Sequence, residues 1–317
     1  MKILFMGTPD FAVDTLRVLT GSRHEVVGVV TQPDRPKGRS GKMQYSPVKE
    51  AALKYGIEVY QPEKVKDAAF VQEIHRMGPD VIVVVAFGQI LSKEILELPK
   101  YGCLNVHASL LPKLRGAAPI QWAVIDGEKE SGVTIQQMEE GLDTGDILLV
   151  KKYALEEKET GGSLFEKLAK LGGPMILEVL EAAEKGELHP VRQEEEKHTY
   201  AKKLSKSTGL INFSNTAAEI ERLIRGLNPW PSAYCYLDGK MLKVWEAEVV
   251  TADFSEEDNA AKNGTVVKVG QDSFLVKTAE GLLKILSVQL AGKKRMDAAA
   301  FLRGYPLKEG ALLEQEG

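Results

Sequence analysis

The sequence predicts an α/β protein with two domains: a mostly parallel sheet with helices on both faces, followed by a small β-barrel. Three observations support this prediction. The chain of 317 residues is long for a single hydrophobic core. Its first part alternates short apolar, β-branched runs with helical periods, which is typical of doubly wound sheets. Its last part consists mainly of short strand patterns separated by turn residues.

The chain opens with the strand, helix, strand order of a doubly wound sheet. Residues 2–7 read as a buried strand, residues 11–19 as a helix capped by the loop before it, and residues 25–31 as a second strand. Gly7 stands alone, without the further glycines of the dinucleotide-binding motif G-x-G-x-x-G. The sequence therefore gives little support to an NAD cofactor.

A basic loop interrupts this periodic pattern at residues 33–49. It contains five Lys or Arg residues and one Asp, together with Pro, Gly and Ser residues that favour turns. A solvated surface loop is one explanation of this composition. The other is an arm that neutralises phosphate groups, for which Lys37, Arg39 and Lys42 are the candidate residues.

Strand and helix patterns then continue as far as residue 184. The predicted elements are a helix at 46–55, strands at 57–60 and 81–86, helices at 68–77 and 117–125, strands at 132–138 and 147–151, and a helix at 161–184 interrupted at 172–174. The strand at 81–86 is apolar throughout, as expected for a parallel strand covered on both faces. Phe87 and Gly88 follow this strand directly, so their backbone is a candidate wall for a pocket.

Asn105, His107 and Asp143 form the candidate reaction centre. Asn105 and His107 are two residues apart, so on a strand their side chains point to the same face, and Asp143 lies in a turn flanked by glycines. Ligands of open α/β sheets bind beyond the carboxyl ends of the strands. An amide, an imidazole and a carboxylate suit acyl transfer to an amine, in which the carbonyl oxygen gains negative charge and the amine loses a proton.

Each of these residues also has an ordinary structural explanation when taken singly. Asn105 can satisfy loop backbone, His107 can be a hydrogen-bonded core residue, and the segment from Asp143 to Asp146 can be a simple turn. Their combination with a Leu-Leu-Pro sequence from Leu110 favours the catalytic interpretation. Cys103, at the start of the same predicted strand, is interpreted as a packing residue.

A second domain is predicted from residue 208 to residue 317, after a catalytic domain at 1–189 and a charged linker at 190–207. It contains a helix at 215–227 and strands at 233–237, 241–246, 264–269, 273–278 and 282–290, the first two joined by Asp238-Gly239. Such a series indicates a small barrel of the oligonucleotide-binding (OB) type. Residues 201–245 contain seven Lys or Arg and three Asp or Glu, and Lys203 and Lys206 are candidate contacts with nucleic acid.

Composition narrows the class of protein further. The net charge of -4 gives no general attraction to nucleic acid, so such a partner would depend on the local basic regions. Two cysteines provide neither a disulfide framework nor the spacing of a zinc site. The apolar run at the N-terminus is too short for a signal peptide or a membrane span. We therefore expect a protein of the reducing cytoplasm, with no metal and no membrane partner.

Two segments resemble the signature of the folate-dependent formyltransferases, the family that contains glycinamide ribonucleotide transformylase. They read Asn-Val-His-Ala-Ser-Leu-Leu-Pro-Lys-Leu-Arg-Gly from Asn105 and Gly-Leu-Asp-Thr-Gly-Asp from Gly141. The order of parts from residue 2 to residue 307 is similar to that of the members of this family that act on tRNA. Segments that carry this likeness include Thr-Pro-Asp-Phe from Thr8, Gln-Pro-Asp-Arg-Pro from Gln32 and Asn-Pro-Trp-Pro from Asn228.

The resemblance implies a function and a set of site residues. It implies transfer of the formyl group of 10-formyltetrahydrofolate to the amino group of initiator methionyl-tRNA, in support of translation initiation. It also implies a Rossmann-like first domain that binds folate rather than NAD, and an OB-like barrel that binds tRNA. The implied catalytic residues are Asn105, His107 and Asp143. The folate would be bordered by Ser109, Leu110, Leu111 and Pro112, with Phe87 and Gly88 on the neighbouring strand, and the loop around Arg39 would meet the acceptor end of the tRNA.

Two further expectations concern the backbone and the assembly. The Leu111–Pro112 peptide is expected to be cis, because a proline directly after the catalytic strand must turn the chain back over the folate site. The protein is expected to be a monomer.

Three other functions are compatible with parts of the sequence. A formyltransferase that acts on an amino sugar or another small amine would share the central motif, so only the basic loop and the barrel argue against it. An NAD-dependent oxidoreductase is disfavoured by the isolated Gly7 and by the absence of an acidic residue at the usual ribose position. An RNA-binding protein without catalysis would not need Asn105, His107 and Asp143 together.

Overall fold

The computed structural model describes residues 1–37, 42–251 and 260–316. They divide into two compact units. Unit 1 consists of Met1–Pro119, Glu130–Ala154 and Phe165–Ala201, and unit 2 consists of Ile120–Lys129, Leu155–Leu164 and the chain from Lys202 onward. Two short segments from the first part of the chain therefore belong to unit 2.

A seven-stranded sheet forms the centre of unit 1. Across the sheet its strands are β10 (Ile147–Ala154), β9 (Glu130–Gln137), β7 (Cys103–His107), β6 (Val81–Val85), β1 (Lys2–Gly7), β2 (Glu25–Val30) and β5 (Val59–Tyr60). Strands β7, β6, β1, β2 and β5 run parallel to one another. Strand β9 is antiparallel to β7, and β10 is antiparallel to β9. The predicted mostly parallel sheet is confirmed.

Helices cover both faces of this sheet. Those of unit 1 are α1 (Asp10–Thr20), α2 (Pro47–Lys54), α3 (Ala68–Met77), α4 (Lys93–Glu97) and most of α6 (Gly161–Lys185), whereas α5 (Pro119–Ile125) belongs to unit 2 from Ile120 onward. On one face Leu4 and Met6 of β1 share an apolar cluster with Ile74 of α3 and Ile95 of α4. Helices α1 and α6 lie on the opposite face. This alternation follows from strand geometry, in which successive side chains point to opposite faces.

Helix α6 is continuous through Gly172, Gly173 and Pro174, so the predicted interruption there is wrong. The two glycines allow α6 to pack closely against β7 and α1. A Cβ on Gly172 would lie 2.8 Å from the Val106 side chain of β7, and a Cβ on Gly173 would lie 2.6 Å from Val18 of α1. Burial of the helix against the sheet outweighs the low helix propensity of these residues, as tertiary packing often does.

The basic loop contains a short hairpin that sequence periodicity did not predict. Its strands are β3 (Arg35–Lys37) and β4 (Lys42–Gln44), paired antiparallel. The base of the loop is fixed by a polar cluster, because Lys49 donates hydrogen bonds to Asp34 (2.5 Å) and to Gln61 (2.7 Å). Gln61 in turn donates to Asp34 (2.8 Å). Burial opposes the charge on Asp34, but the hydrogen bonds from Lys49 and Gln61 leave its pKa below the usual value.

Unit 2 contains an antiparallel sheet that closes into a barrel. Its strands are β12 (Ala233–Leu237), β13 (Lys240–Val250), β14 (Val266–Val269), β15 (Phe274–Lys277), β16 (Leu282–Leu290) and β17 (Met296–Asp297), and its helices include α7 (Ala217–Gly226) and α8 (Ala298–Gly304). The sheet order is β12-β13-β16-β15-β14, with β17 beside β16. Residues 311–314 bridge the two outer strands: Glu314 exchanges hydrogen bonds with Tyr236, and the Leu313 N–H donates to Gly264. The predicted small barrel is confirmed.

Local signals in unit 2 explain why its elements begin where they do. Thr216 caps α7 and forms a reciprocal pair of hydrogen bonds with Glu219, the arrangement called a capping box. Asp238 and Gly239 both have positive φ, which is the requirement of the tight turn that joins β12 to β13.

No helix in the described part of the chain has the length and apolar character needed to span a bilayer.

Candidate active site

Strand β7 presents Asn105 and His107 at the edge of the parallel part of the sheet. Asn105 lies beside Val84 of β6 on one side and Gln136 of β9 on the other. Both site residues are buried, with 9 % of Asn105 and 5 % of His107 exposed. Cys103 of the same strand packs in the apolar cluster with α4, so its interpretation as a packing residue is confirmed. Burial raises the pKa of the Cys103 thiol to about 12.

Asp143 reaches the same place from the loop between β9 and β10. Its backbone has a φ of 55°, a left-handed conformation that Asp tolerates better than most residues. The Asp143 Oδ1 atom accepts hydrogen bonds from Asn105 Nδ2 (3.2 Å) and Gln136 Nε2 (2.9 Å). Its Oδ2 atom accepts from the Gly116 N–H (2.8 Å). The structure therefore brings the three predicted residues together around one carboxylate.

The hydrogen bond of His107 identifies which ring nitrogen is available for chemistry. His107 Nε2 lies 3.0 Å from the Leu114 carbonyl oxygen. A carbonyl only accepts, so Nε2 carries the hydrogen. The Nδ1 atom lies on the other side, 3.6 Å from Asp143 Oδ1. In the neutral ring Nδ1 is an acceptor, and in the cationic ring it is a donor directed toward the carboxylate.

Three residues that hold this arrangement were missed by sequence reasoning. Gln136 is a buried amide on β9, which also buries Thr134, and these polar residues at buried strand positions were the available signal. Gly116 has a φ of 108°, and a Cβ there would lie 2.9 Å from the Ala201 carbonyl oxygen. Gln193, in the predicted linker, is buried and donates to the Asp143 carbonyl. No local pattern indicates the last two contacts, because each depends on chain that is distant in sequence.

The residues predicted to border folate lie along the same edge of the sheet. The Leu111–Pro112 peptide is cis, as predicted. Ser109 and Leu111 are buried, and the Ser109 hydroxyl donates to the Lys113 carbonyl at 2.7 Å, whereas Leu110 and Pro112 are partly exposed. The Phe87 ring is buried in the core and its carbonyl accepts from Thr8 and Gln32, which leaves the exposed backbone of Gly88 as the part able to face a ligand.

Two exposed apolar side chains lie close in sequence to these residues. Ile90 is 82 % exposed and Leu142, next to Asp143, is 58 % exposed. A cleft beside α4, lined by residues that include Lys93, Met138 and Gly141, runs along the loop that carries Asp143. The lining of this cleft is mainly charged, with Lys93, Glu97, Glu139 and Glu140 beside Leu96 and Met138, and it includes neither Ile90 nor Leu142. Within the described ranges no group of three or more His, Cys, Asp or Glu side chains is arranged to hold a metal ion.

The residues predicted to contact tRNA fall into two groups. Arg39 lies outside the described residues, while Lys37 and Lys42 are backbone neighbours across the β3–β4 hairpin. Lys203 and Lys206 are exposed at the start of the chain segment that enters unit 2, and neither forms an ion pair with another described residue. Their placement leaves both side chains available to a ligand.

Solved structures of other proteins share this fold. A sugar 3N-formyl transferase, WlaRD, studied with dTDP and 5-N-formyl-THF, superposes with a TM-score of 0.67 at 19% identity, over 93% of this chain and 99% of the other. HypX from Aquifex aeolicus in complex with tetrahydrofolic acid gives a TM-score of 0.61 at 18% identity, over 99% of this chain and 50% of HypX. At these identities the likeness shows the fold.

Sequence comparison shows the family. Residues 1–180 match the family model described as formyl transferase, and residues 203–306 match the formyl transferase C-terminal domain. The methionyl-tRNA formyltransferase of Lachnospira eligens is 54% identical over 313 residues, 99% of each chain. The enzymes of the same name from Agathobacter rectalis and Caldanaerobacter subterraneus are 51% and 48% identical, over 98% and 99% of this chain and 99% and 100% of their own. The chain therefore belongs to the formyl transferase family, in the group of the methionyl-tRNA formyltransferases.

Proposed function

We propose that this protein transfers the formyl group of 10-formyltetrahydrofolate to the α-amino group of initiator methionyl-tRNA. The observation that carries the proposal is the convergence of Asn105, His107 and Asp143 in a chain that matches methionyl-tRNA formyltransferases over its whole length. The site contains an amide donor, an imidazole and a carboxylate, and the reaction needs no nucleophile from the protein. These are the groups that direct acyl transfer to an amine requires.

Asn105 and His107 stabilise the charge that develops on the formyl oxygen. One N–H of the Asn105 amide is held by Asp143, and the second remains available as a donor. When protonated, His107 supplies the other donor through Nδ1, because Nε2 is committed to the Leu114 carbonyl. Donors fixed in advance of the reaction act more strongly than mobile water, since they need no reorganisation.

Asp143 accepts the proton that the attacking amine must lose, either directly or through one water molecule. Its carboxylate is oriented by donors from Asn105, Gln136 and Gly116. The new C–N bond forms as the bond between the formyl carbon and N10 of the folate breaks. The acceptor nitrogen loses one proton and N10 gains one, so the site returns to its starting charge when His107 and Asp143 complete the relay.

The donor and the acceptor are assigned to different parts of the chain. We place the folate along Phe87, Gly88 and the segment from Ser109 to Pro112, where the partly exposed Leu110 and the exposed Ile90 supply apolar surface. The tRNA is assigned to the basic loop at 33–49 and to Lys203 and Lys206, with residues 208–317 as the tRNA-binding domain. We further propose that the enzyme acts as a monomer in the cytoplasm, where its aminoacylated substrate is formed.

The decisive experiment offers the enzyme competing acceptors. The purified protein is incubated with 10-formyltetrahydrofolate and either charged initiator tRNA, uncharged tRNA, or free amines including an amino sugar, and the products are identified by mass spectrometry. Formyl-methionine released from charged initiator tRNA is the expected product. Faster formylation of a free amine than of the charged tRNA would contradict the proposal and favour the small-amine alternative. Light scattering of the same sample tests the monomer.

A further inference from the structure

The segment from Gln193 to Ala201 lies in the predicted linker, yet in the structure it belongs to unit 1. Gln193 is buried, with 7 % of its surface exposed. Its Nε2 atom donates to two backbone carbonyls of the catalytic loop, Asp143 (2.8 Å) and Gly145 (2.7 Å). The neighbouring residues of the segment are exposed, so this one side chain is directed into the catalytic loop by contacts and not by general burial.

Arg115 fixes the other end of the Gln193 side chain. It is fully buried, and its Nε and Nη2 atoms donate to Gln193 Oε1 at 3.1 and 3.0 Å. The same guanidinium donates to both carboxylate oxygens of Glu195, at 3.1 and 3.0 Å. The hydrogen bonds from Arg115 hold the pKa of Glu195 below its ordinary value. With its oxygen fixed by Arg115, the Gln193 amide can present only its nitrogen to the loop.

The same segment also supports the short strand that contacts both catalytic side chains. Strand β8 (Arg115–Gly116) pairs with β11 (Tyr200–Ala201), and the Thr199 hydroxyl accepts from the Leu114 N–H at 2.9 Å. Leu114 provides the carbonyl bound by His107, and Gly116 provides the N–H bound by Asp143. Neither His107 nor Asp143 therefore has its orientation set by the central sheet alone.

We infer that Gln193, held by Arg115, is a positioning residue for formyl transfer: it fixes the loop of Asp143, and the segment that carries it completes the catalytic centre. The inference rests on the proposed function. The segment Gln193–Ala201 of unit 1 is thereby part of the reaction machinery. Gln193 touches neither substrate nor the reacting atoms, and its effect passes through the position of the Asp143 carboxylate relative to His107.

The test uses Gln193→Met, which keeps the length of the side chain and removes its polar atoms. We expect kcat to fall about tenfold to 100-fold, because a shift of about 1 Å in a reacting group can cost about 100-fold, while the KM values for folate and tRNA stay unchanged. Glu194→Gln is the matched control, since Glu194 is an exposed neighbour that pairs only with Lys197 among described residues. This control should keep wild-type kcat and KM.

A double-mutant cycle separates positioning from a general structural effect. If Gln193 acts through Asp143, then adding Gln193→Met to Asp143→Ala should lower kcat little further, because the carboxylate that Gln193 positions is already absent. Equal losses in both backgrounds would overturn the inference, as would wild-type kcat in Gln193→Met. A change in either KM with kcat intact would also overturn it.

A readout that does not depend on activity keeps the two proposals distinguishable. Hydrogen exchange of the peptide that spans residues 138–147 should be faster in Gln193→Met than in the wild type and unchanged in Glu194→Gln. Unchanged exchange in Gln193→Met would overturn the inference even if wild-type turnover were absent. Should Gln193→Met fail to fold, Glu195→Gln weakens the same cluster from the surface and should lower kcat about two- to fivefold; wild-type kcat there would count against the inference.

Discussion

At the scale of single residues, the candidate catalytic side chains are held in place by several hydrogen bonds from the protein. Asp143 is held at both carboxylate oxygens and at its carbonyl, and His107 is held at one nitrogen. His107 Nδ1, which lies 3.6 Å from Asp143 Oδ1, and the second N–H of Asn105 are the donors that can turn toward a substrate. A site in which most hydrogen-bonding capacity is already used has a small set of orientations, which is the condition for strong electrostatic catalysis.

Replacing either catalytic group should slow the chemical step far more than it weakens binding. His107→Ala and Asp143→Ala are each expected to lower the single-turnover rate by about 100-fold or more, the usual scale for the loss of an oxyanion donor or a proton acceptor. The dissociation constant for folate should change much less. His189→Ala provides a control, because His189 is exposed and outside the site. Near wild-type turnover in either variant would remove that residue from the mechanism.

The two cysteines provide a prediction about alkaline pH. Burial raises the pKa of both Cys103 and Cys235 to about 12, against about 8.5 for a thiol in an unfolded chain. The unfolded state therefore loses these protons first, so the stability that the buried thiols contribute is present below about pH 8.5 and is lost as pH rises toward 12. At about pH 9 an aromatic disulfide reagent should label neither thiol of the folded protein and both in denaturant. Rapid labelling of the native protein would contradict this expectation.

Residue types and spacing predicted that Asn105, His107 and Asp143 lie together, but not the residues that support them. Asn105 and His107 share a face by strand alternation, and the Asp143 turn stands out by its flanking glycines. Gln193 and Gly116 contact Asp143 only because distant parts of the chain pair across β8 and β11. Such contacts follow from tertiary pairing, which leaves no period in the sequence.

At the scale of elements, apolar periodicity located most of the long helices and strands, and two of its failures have clear physical causes. The β3–β4 hairpin was missed because its strands lack alternating apolar residues, and it is fixed instead by the cluster of Asp34, Lys49 and Gln61. The continuity of α6 was missed because Gly and Pro were interpreted through local propensity. In both cases the deciding contacts are side-chain packing or hydrogen bonds with other elements.

The glycines of α6 offer a matched pair of substitutions. A Cβ at Gly173 would lie 2.6 and 2.7 Å from the Val18 side chain, including its Cβ, so Gly173→Ala forces α6 and α1 apart. We expect Gly173→Ala to lower the free energy of unfolding by about 1 to 2 kcal/mol. The cost of overpacking exceeds the gain of up to about 1 kcal/mol in helix propensity. Gly304→Ala in α8 meets nothing within 4 Å and should be neutral or slightly stabilising. Urea unfolding of both variants measures the difference, and equal midpoints would refute the packing argument.

At the scale of the whole molecule, the sequence predicted the two kinds of architecture and their order along the chain. It did not predict that residues 311–314 close the barrel by bridging β12 and β14, or that Gln193 to Ala201 belong to unit 1. Both segments are short and have no apolar alternation. The sequence pattern therefore indicates a C-terminal tail for residues 311–314 and a linker for Gln193 to Ala201. Their positions are set by backbone hydrogen bonds to partners far away in sequence.

Because the folate and the tRNA are assigned to different parts of the chain, their KM values should depend differently on salt concentration. If the basic loop and the exposed lysines of unit 2 contact phosphates, the KM for charged tRNA should rise steeply with salt, and each contact removed should flatten that slope by about one unit. Arg39→Ala and the pair Lys203→Ala and Lys206→Ala should each raise the KM for tRNA.

The KM for the folate should not depend on salt in the same way as the KM for tRNA, because the assigned folate site at Phe87 and Ser109 contains none of these cations. The KM for 10-formyltetrahydrofolate is therefore expected to stay constant in the three substitutions and across the salt series. Lys66→Ala, which removes one positive charge at an exposed position outside the basic regions, controls for the net charge of the protein. If Arg39→Ala and the Lys203/Lys206 variant keep the wild-type slope, these three residues are solvated surface, and recognition of the tRNA must come from other groups of the chain.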